Sequence, residues 1–588
     1  MFTEIAREAT YIRSVGRTLW RMRHVKPDSP TTVGHLIEDL ARRMPSNPAV
    51  LCDEETLDYR ALNERANRFA SWARGLGVKR GDVVGVLMEN RPDYIAAWLG
   101  MAKLGAVSAL FNTNLRGTAL AHTMAVANAR HLIVGGELVD AFAEIRKDLD
   151  LPPTPWVLGE ASEGEDLAAA LSTAATTDGI DADLRAKDLA LYIFTSGTTG
   201  LPKAARISHM RMLFMMYGFA GALNAQPSDR MYNVLPLYHT AGGICALGPA
   251  LTTGGSVVIR RKFSVHEFWS DVNRYRPTFF QYIGELCRYL LNAPPVPHES
   301  DHHLRAITGN GLRPEIWPAF QTRFKIPKII EFYGATEGNV SMLNYDGRMG
   351  AVGRVPFYMR SLMPVRLVRF DVEREQPVRG ADGFCIECET DEAGEAIGRI
   401  SDEPGRDFEG YTRPEDTQKK ILRDVFEAGD AWFRTGDLLK QDQHGYFYFV
   451  DRIGDTFRFK GENVSTNEVA EALGVIPGIK EANVYGISLP GMDGRVGMAA
   501  LVTAPQFQLD QLAAKLAGAL PAYARPVFIR LRPELEITGT FKLRKVDLVR
   551  EGADPAKIDD PLYVLQEEGY MPLDAQYYAD ICSGKIRL

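Results

Sequence analysis

Nothing in this chain approaches the roughly 20 consecutive apolar residues that a bilayer-spanning helix needs. The longest apolar run free of charge, Met212 to Leu223, is far shorter, so no spanning helix is expected. Cysteine is scarce as well. Six residues (Cys52, Cys245, Cys287, Cys385, Cys388, Cys582) are scattered through 588, which argues against a disulfide framework and fits a reducing compartment. Cys385 and Cys388 form a lone C-x-x-C with neither a second ligand pair for zinc nor a thioredoxin-like setting, and are read as ordinary strand residues. Charge of one sign is also in short supply. A net charge of -7 over this length favours neither nucleic-acid binding nor an acidic tail, so the expected partner is a small molecule. The first 30 residues carry no unbroken apolar core before a small-residue cleavage site, and there is no internal repeat or low-complexity tract. A cytoplasmic protein is expected.

What is present is enough for several compact units, because the chain exceeds the usual span of one core. From Thr31 to about Ile133, helical periodicity (Val33 to Arg43, Tyr59 to Leu76) alternates with short apolar strands (Val83 to Met88, Gly105 to Phe111), the pattern of a largely parallel sheet covered on both faces. The stretch from Glu160 to Lys187 has no apolar periodicity and reads as a surface segment. Near Asp451 the aromatic strand Gly445 to Val450 ends. Shorter strands (Ala482 to Ile487, Gly497 to Val502) and helices (Thr466 to Gly474, Gln508 to Leu520) follow, enough for a small α+β unit, with Gly454 as a candidate hinge. The expected divisions are 1–30, 31–450 and 451–588. Residues 1–30 form an amphipathic segment. Ile5, Ile12, Val15, Leu19 and Met22 can share one helical face, with Arg7, Arg13, Arg17, Arg21 and Arg23 elsewhere. Such a helix can lie peripherally on the inner face of an anionic membrane or pack on its own domain.

The most informative stretch is Thr195 to Lys203, TSGTTGLPK, which follows the apolar, β-prone run Leu189 to Phe194. Gly197 and Gly200 permit backbone to approach a ligand closely, while Thr195, Ser196, Thr198, Thr199 and Lys203 offer donors to phosphate oxygens. It is not a Walker A loop, because two residues separate the last glycine from the lysine and Ala204 follows. No G-x-S-x-G elbow surrounds Ser196, which counts against a hydrolase. Five segments follow in order. Leu235 to Gly243 ends an apolar run at His239 and continues through small residues that leave room for a ligand. Thr308 to Arg313 (TGNGLR) can bring bare backbone against a base. Glu331 to Asn339 combines an aromatic, a hydroxyl and a carboxylate suited to Mg²⁺. Arg434 to Asp437 offers a carboxylate to ribose hydroxyls, and Thr538 to Lys545 (TGTFKLRK) is basic.

The ordered set, from about Thr31 to Lys545, resembles the adenylate-forming superfamily of acyl-CoA synthetases, adenylation domains and luciferases. Gln281 to Glu285, Gly309 to Arg313, Glu331 to Asn339, Asp455 to Ser465, Thr538 to Lys542 and the ending Tyr578 to Leu588 look like its fatty acid transport protein and very-long-chain acyl-CoA synthetase branch. The resemblance implies an α/β fold, with a large amino-terminal domain of β-sheets covered by helices and a small mobile α+β carboxy-terminal domain. It implies ATP-dependent activation of a long- or very-long-chain fatty acid through acyl-AMP to acyl-CoA, with Mg²⁺, ATP and CoA. By resemblance, Thr195, Ser196, Gly197, Thr198, Thr199, Gly200 and Lys203 hold the β- and γ-phosphates, and Gly309, Asn310, Gly311 and Tyr333 frame adenine. Thr336 contacts the α-phosphate, Glu337 binds Mg²⁺, Asp437 the ribose, and Arg452 the ribose or phosphate side. Lys542 bridges the substrate carboxylate and the α-phosphate, with His239 among the catalytic residues. Lys460 and Gly461 meet CoA, and Thr240, Gly242, Gly243 and Tyr282 line the acyl pocket. Where the family often has Gly-Arg and an Asp or Lys hinge, this chain has Asp451-Arg452 and Gly454, which leaves the hinge open. Thr240 to Ile244 contains no Asp to pair with an α-ammonium, which counts against amino acids, whose unpaired charge would be costly in a pocket. A steroid or bile-acid carboxylate, and a fatty acid uptake protein that traps its cargo as the CoA ester, stand as alternatives.

Overall fold

The computed structural model describes residues 2–160, 163–177, 179–181, 183–196, 202–403, 405–460, 462–490, 495–537, 543–583 and 585–586. The alternation of helix and strand builds two largely parallel sheets rather than one. The first has eight strands. Its inner members, including β3 (Phe279–Ile283), β4 (Ala306–Asn310) and β5 (Ile329–Gly334), run parallel, and antiparallel strands Ser341–Leu343 and Thr56–Asp58 close its edges. The second has seven strands and ends in an antiparallel hairpin of β1 (Leu189–Ser196) and β2 (Pro202–Ser208). A third, antiparallel sheet contains β6 (Ala431–Gln441) and β7 (Tyr446–Arg452).

A fourth sheet of five strands, beginning at Ile479–Ile487, belongs to a smaller carboxy-terminal domain with its own core of Phe457, Leu473, Met498, Leu516 and Phe528. The large domain's core includes Trp98, Tyr94 and Phe69, all essentially inaccessible to solvent. Among the described residues no helix is long and apolar enough to cross a membrane, and all six cysteines are free.

Local departures from the expectations have physical causes. Gly105 lies outside its expected strand, which spans Val107–Leu110. At φ 70° it caps the preceding helix in the left-handed conformation that glycine adopts without strain. Within the stretch expected to be plain surface, Leu167–Thr173 is a helix. Asp166 caps it, and Leu167 and Leu171, four apart, are buried on one side.

Helix α1 (Phe2–Met22) is split between the two readings of its sequence. Tyr11, Ser14, Val15 and Thr18 are buried, and the helix packs along α2 (His209–Leu223). Arg17 and Arg21 turn inward and donate to Gly221 O at 2.6 Å and Ala225 O at 2.8 Å, at and just beyond the end of α2. Ile5, Ile12, Leu19 and Trp20 remain exposed on the far side.

Candidate active site

The site is assembled at the carboxy-terminal ends of β4 and β5, beside the β1–β2 hairpin. Residues 197–201, which include Gly197, Thr198, Thr199 and Gly200, lie outside the described residues, as do Gly461 and Lys542; of Ser196 only the backbone is described. Thr195 and Lys203 face each other in the ladder. Lys203 Nζ is 2.8 Å from Asp416 Oδ1, both side chains being mostly buried, and sits 5.6 Å from the centroid of the Tyr411 ring. Tyr411 donates its hydroxyl to Glu337 Oε1 at 2.6 Å. Burial, then the Glu337 charge, pushes that phenol far above its usual range, so it stays a donor. Tyr411 and Asp416 therefore join the β1–β2 hairpin to Glu337, the expected metal ligand.

Backbone geometry explains why these residues meet. Arg206 N donates to Gly410 O and Thr412 N to Ala204 O, both at 3.0 Å, which pins residues 410–412 along β2. At the start of α2, Ser208 caps the helix by accepting from Arg211 N at 3.1 Å. The Ser208 hydroxyl and amide donate to half-buried Glu409 at 2.5 and 2.7 Å. Arg211 then reaches across to the turn after β5, donating to Thr336 O at 2.9 Å, Ala335 O at 3.0 Å and Gly338 O. One guanidinium thus holds the turn bearing Thr336 and Glu337 through its carbonyls. A forked donor suits this task better than an ammonium. Thr336 Oγ1 in turn lies 2.9 Å from Thr240 Oγ1.

The loop after β4 is organised from beneath by Glu331. Its buried carboxylate accepts from Gly311 N at 2.9 Å, Leu312 N at 3.0 Å and Tyr282 OH at 2.5 Å. Burial pushes its pKa up to about 7, opposed by those three donors. Gly311 has φ +81°. A Cβ on Gly309 would fall 2.2 Å from Tyr282 O, and one on Gly284 would overlap Gly311 O. These glycines are demanded by backbone lying on backbone, and Asn310 stands between two of them at the end of β4.

Tyr333, at the end of β5, donates to Asp437 Oδ2 at 2.6 Å, and Arg452 Nε is 3.9 Å from Asp437 Oδ1. Asp437 and Arg452 are direct partners in the β6–β7 ladder, so three residues distant in sequence converge on one spot. Beyond Arg452, buried Asp451 accepts from Thr466 N at 2.6 Å, tying the small domain to β7. Gly454 has φ +93° and open space where a Cβ would be. Lys545 Nζ bonds Thr466 Oγ1 at 2.7 Å and Asp455 at 3.0 Å. Lys460 is exposed, with its ammonium 5.2 Å from the Phe459 ring.

His239 lies in the turn preceding a π-helical segment, Ala241–Cys245, and its Nδ1 accepts from Ala241 N at 3.3 Å. Gly242 and Gly243 fall within that segment. Side chains there would strike Pro236 O at 2.3 Å and Leu237 O at 2.1 Å, so close backbone contact accounts for their size. Tyr282 is fully buried with its hydroxyl on Glu331, which gives it a holding role in this structure.

Sequence reasoning missed Tyr411, Asp416, Arg211 and the task of Glu331. The first two belong to a polar run, Gly410 to Thr417, whose one signal was a tyrosine and two acids around Pro414. Arg211 carried no signal, since it acts entirely through carbonyls.

A family model described as AMP-binding enzyme matches residues 37–383, and one described as AMP-binding enzyme C-terminal domain matches residues 468–542. Long-chain fatty acid transport protein 6 of Mus musculus is 40% identical over 558 residues, covering 93% of this chain and 90% of that protein. Long-chain fatty acid transport protein 1 of Homo sapiens is 41% identical over 578 residues, covering 95% and 88%. Among solved structures, the anthranilate CoA ligase AuaEII in complex with anthranoyl-AMP has a TM-score of 0.75 at 23% identity, covering 87% of this chain and 96% of that one. ATP-bound MatB from Rhodopseudomonas palustris has a TM-score of 0.75 at 24% identity, covering 88% and 99%. The two structures speak to the fold. The chain belongs to the AMP-binding enzyme family and, within it, to the group of the long-chain fatty acid transport proteins.

Proposed function

We propose that the chain activates long- or very-long-chain fatty acids, using ATP to form an acyl-AMP and then CoA to form the thioester, with release of pyrophosphate and AMP. The observation that carries this reading is the convergence of Lys203, Tyr411, Glu337, Thr336 and Thr240 beside the Glu331-supported loop and the Tyr333–Asp437 pair. A carboxylate is a poor electrophile, so it must first become a mixed anhydride, and what that step needs from protein is charge stabilisation and no covalent nucleophile. Lys203 and the hairpin hydroxyls hold the outer phosphates, and Thr336 contacts the α-phosphate. Gly309, Asn310, Gly311 and Tyr333 frame the base, Asp437 and Arg452 hold the ribose, and Lys542 bridges carboxylate and α-phosphate. His239, Thr240, Gly242, Gly243 and Tyr282 bound the acyl side, with no acid placed for an ammonium.

The residues fit Mg²⁺. Among the described residues no group of three or more His, Cys, Asp or Glu could hold a metal alone, but this ion is commonly held by one or two carboxylates together with substrate phosphates. Glu337 supplies such a carboxylate beside hydroxyl oxygens, and the ion would neutralise phosphate charge there. We place the domain boundary near Asp451, with rotation about Gly454 carrying Lys542 away and bringing Lys460 and Gly461 to CoA for the second step. The exposed Ile5, Ile12, Leu19 and Trp20, flanked by Arg13 and Arg23, support α1 lying on the anionic inner face of a membrane.

The test of the first step is exchange of labelled pyrophosphate into ATP without CoA. Palmitate should support exchange and free amino acids should not. Faster exchange with any amino acid would overturn the reading.

A further inference from the structure

Helix α1 and the amino-terminal edge of the first parallel sheet enclose a cavity of about 250 Å³ that the activation chemistry does not use. Arg13 and Arg17 come from α1. Arg305 immediately precedes β4 and Lys328 immediately precedes β5, while Phe279 and Ile330 provide apolar lining. The strands run from this edge to the loops that hold Gly311 and Thr336. The cavity therefore lies a strand length, about 15 Å at roughly 3.3 Å per residue, from the candidate active site.

The charges around it are poorly balanced. Arg305 is bonded to Asp229 Oδ2 at 2.6 Å. Arg17 spends Nε on Gly221 O at 2.6 Å and Nη2 on Ala222 O at 3.3 Å and Ser14 Oγ at 3.4 Å, all neutral acceptors, which leaves Nη1 unspent. The Arg13 and Lys328 side chains have no hydrogen-bond or ion-pair partner among the described residues. The Lys328 ammonium is held below its usual pKa by burial and then by Arg17, with only Asp346 acting the other way. Arg17 is held low by burial and by the neighbouring Arg21 and Arg13. Like charges gathered where water is thinned raise the free energy of the empty site, and an anion would relieve it. The helix end nearby offers carbonyls already taken by Arg17, so the described residues supply no internal counter-ion beyond Asp229 and the field of Asp346.

We propose that this cavity binds a phosphate monoester dianion, its oxygens taken by Lys328, Arg13 and Arg17 with Arg305 at the rim. The charge favours a dianion over a carboxylate, and the volume admits a phosphoryl group with a short organic substituent. Two sources carry that group, a soluble phosphorylated metabolite and the headgroup of an anionic lipid, and the shared chemistry is a terminal phosphate.

The experiment has two arms on the full chain. In one, sn-glycerol 3-phosphate is titrated by calorimetry. In the other, the protein is sedimented with phosphatidylcholine vesicles, with and without phosphatidic acid. Three variants accompany the parent: Arg13→Gln/Lys328→Gln, the exposed single change Arg13→Glu, and Arg42→Gln/Lys557→Gln, which removes the same charge at remote surface positions. The expected result is binding by the parent in at least one arm, naming the source. Both cavity variants should be at least tenfold weaker in that arm, and the remote variant unchanged. Arg13→Glu breaks no bond of the folded chain, so its result stands even if the double variant unfolds. Absence of parent binding in both arms, parent-like binding by Arg13→Glu, or an equal loss in the remote variant would overturn the proposal.

Discussion

Replacing Glu331 by Gln keeps the shape of the side chain and removes one of its two acceptors. In the parent, one oxygen takes Leu312 N at 3.0 Å and Tyr282 OH at 2.5 Å, and the other takes Gly311 N at 2.9 Å. An amide can serve only one side. If its oxygen stays with Leu312 and Tyr282, its NH₂ confronts the Gly311 N–H, donor against donor; if it flips, the Leu312 N–H is stranded and the Tyr282 hydroxyl can only accept. A buried donor left unpaired costs about 1–3 kcal/mol, which is roughly 5- to 150-fold in an equilibrium constant. The cost falls on the Gly309 to Gly311 turn, expected to lie against adenine, and so on ATP binding. Steady-state AMP formation with ATP varied should show KM for ATP raised about 10- to 100-fold and kcat at saturating ATP within a few-fold of the parent. Tyr282→Phe, which strands no backbone donor, should move KM less. A parent-like KM in Glu331→Gln, or a fall in kcat alone, would refute the view that this carboxylate shapes the nucleotide loop.

The same residue has a pH signature. Its folded pKa of about 7 lies above the ordinary carboxylate value of 4.5, so its contribution to stability is complete below about pH 4.5 and is lost as pH rises through 7. The urea midpoint of the parent should therefore fall relative to Glu331→Gln between those values, and parallel curves would contradict it. Glu337→Gln should shift the Mg²⁺ titration of adenylation to higher concentration by about tenfold or more, and an unchanged curve would remove Glu337 from the metal site. Lys542→Ala should lose roughly 10²-fold or more in acyl-AMP formation while converting supplied acyl-AMP and CoA at near the parent rate. Equal impairment of both steps would mean that Lys542 does not serve the first step alone.

How much could be read in advance depended on whether a residue's chemistry was local. The helices Val33–Arg43 and Thr466–Gly474 follow their apolar spacing residue for residue, because a single buried face decides them. Tyr333, Asp437 and Arg452 were each recognisable from flanking motifs, but their meeting through one hydroxyl and one ladder pair is a property of the third sheet and the first together. The helix Leu167–Thr173 was hidden because only two leucines mark its buried side. The supporting groups were hardest to see. Arg211 acts on carbonyls more than a hundred residues away, and Glu409 on the cap of α2. Small size had a second reason that spacing alone does not reveal: the backbone of residues 236 and 237 lies where a Cβ on Gly242 or Gly243 would fall.

The central claim is that a long acyl carboxylate is the group activated. A panel of acids scored by AMP release with ATP, Mg²⁺ and CoA present, with the thioester identified by mass, tests it most directly. Each methylene buried in an acyl tunnel adds about 0.8 kcal/mol, so kcat/KM should climb about fourfold per carbon, roughly 15-fold per carbon pair, from short to long chains before levelling at the tunnel's end. AMP release should need CoA for turnover and yield one acyl-CoA per AMP. Preference for short, aryl, steroid or amino acids over palmitate, or AMP release without a thioester product, would contradict the account.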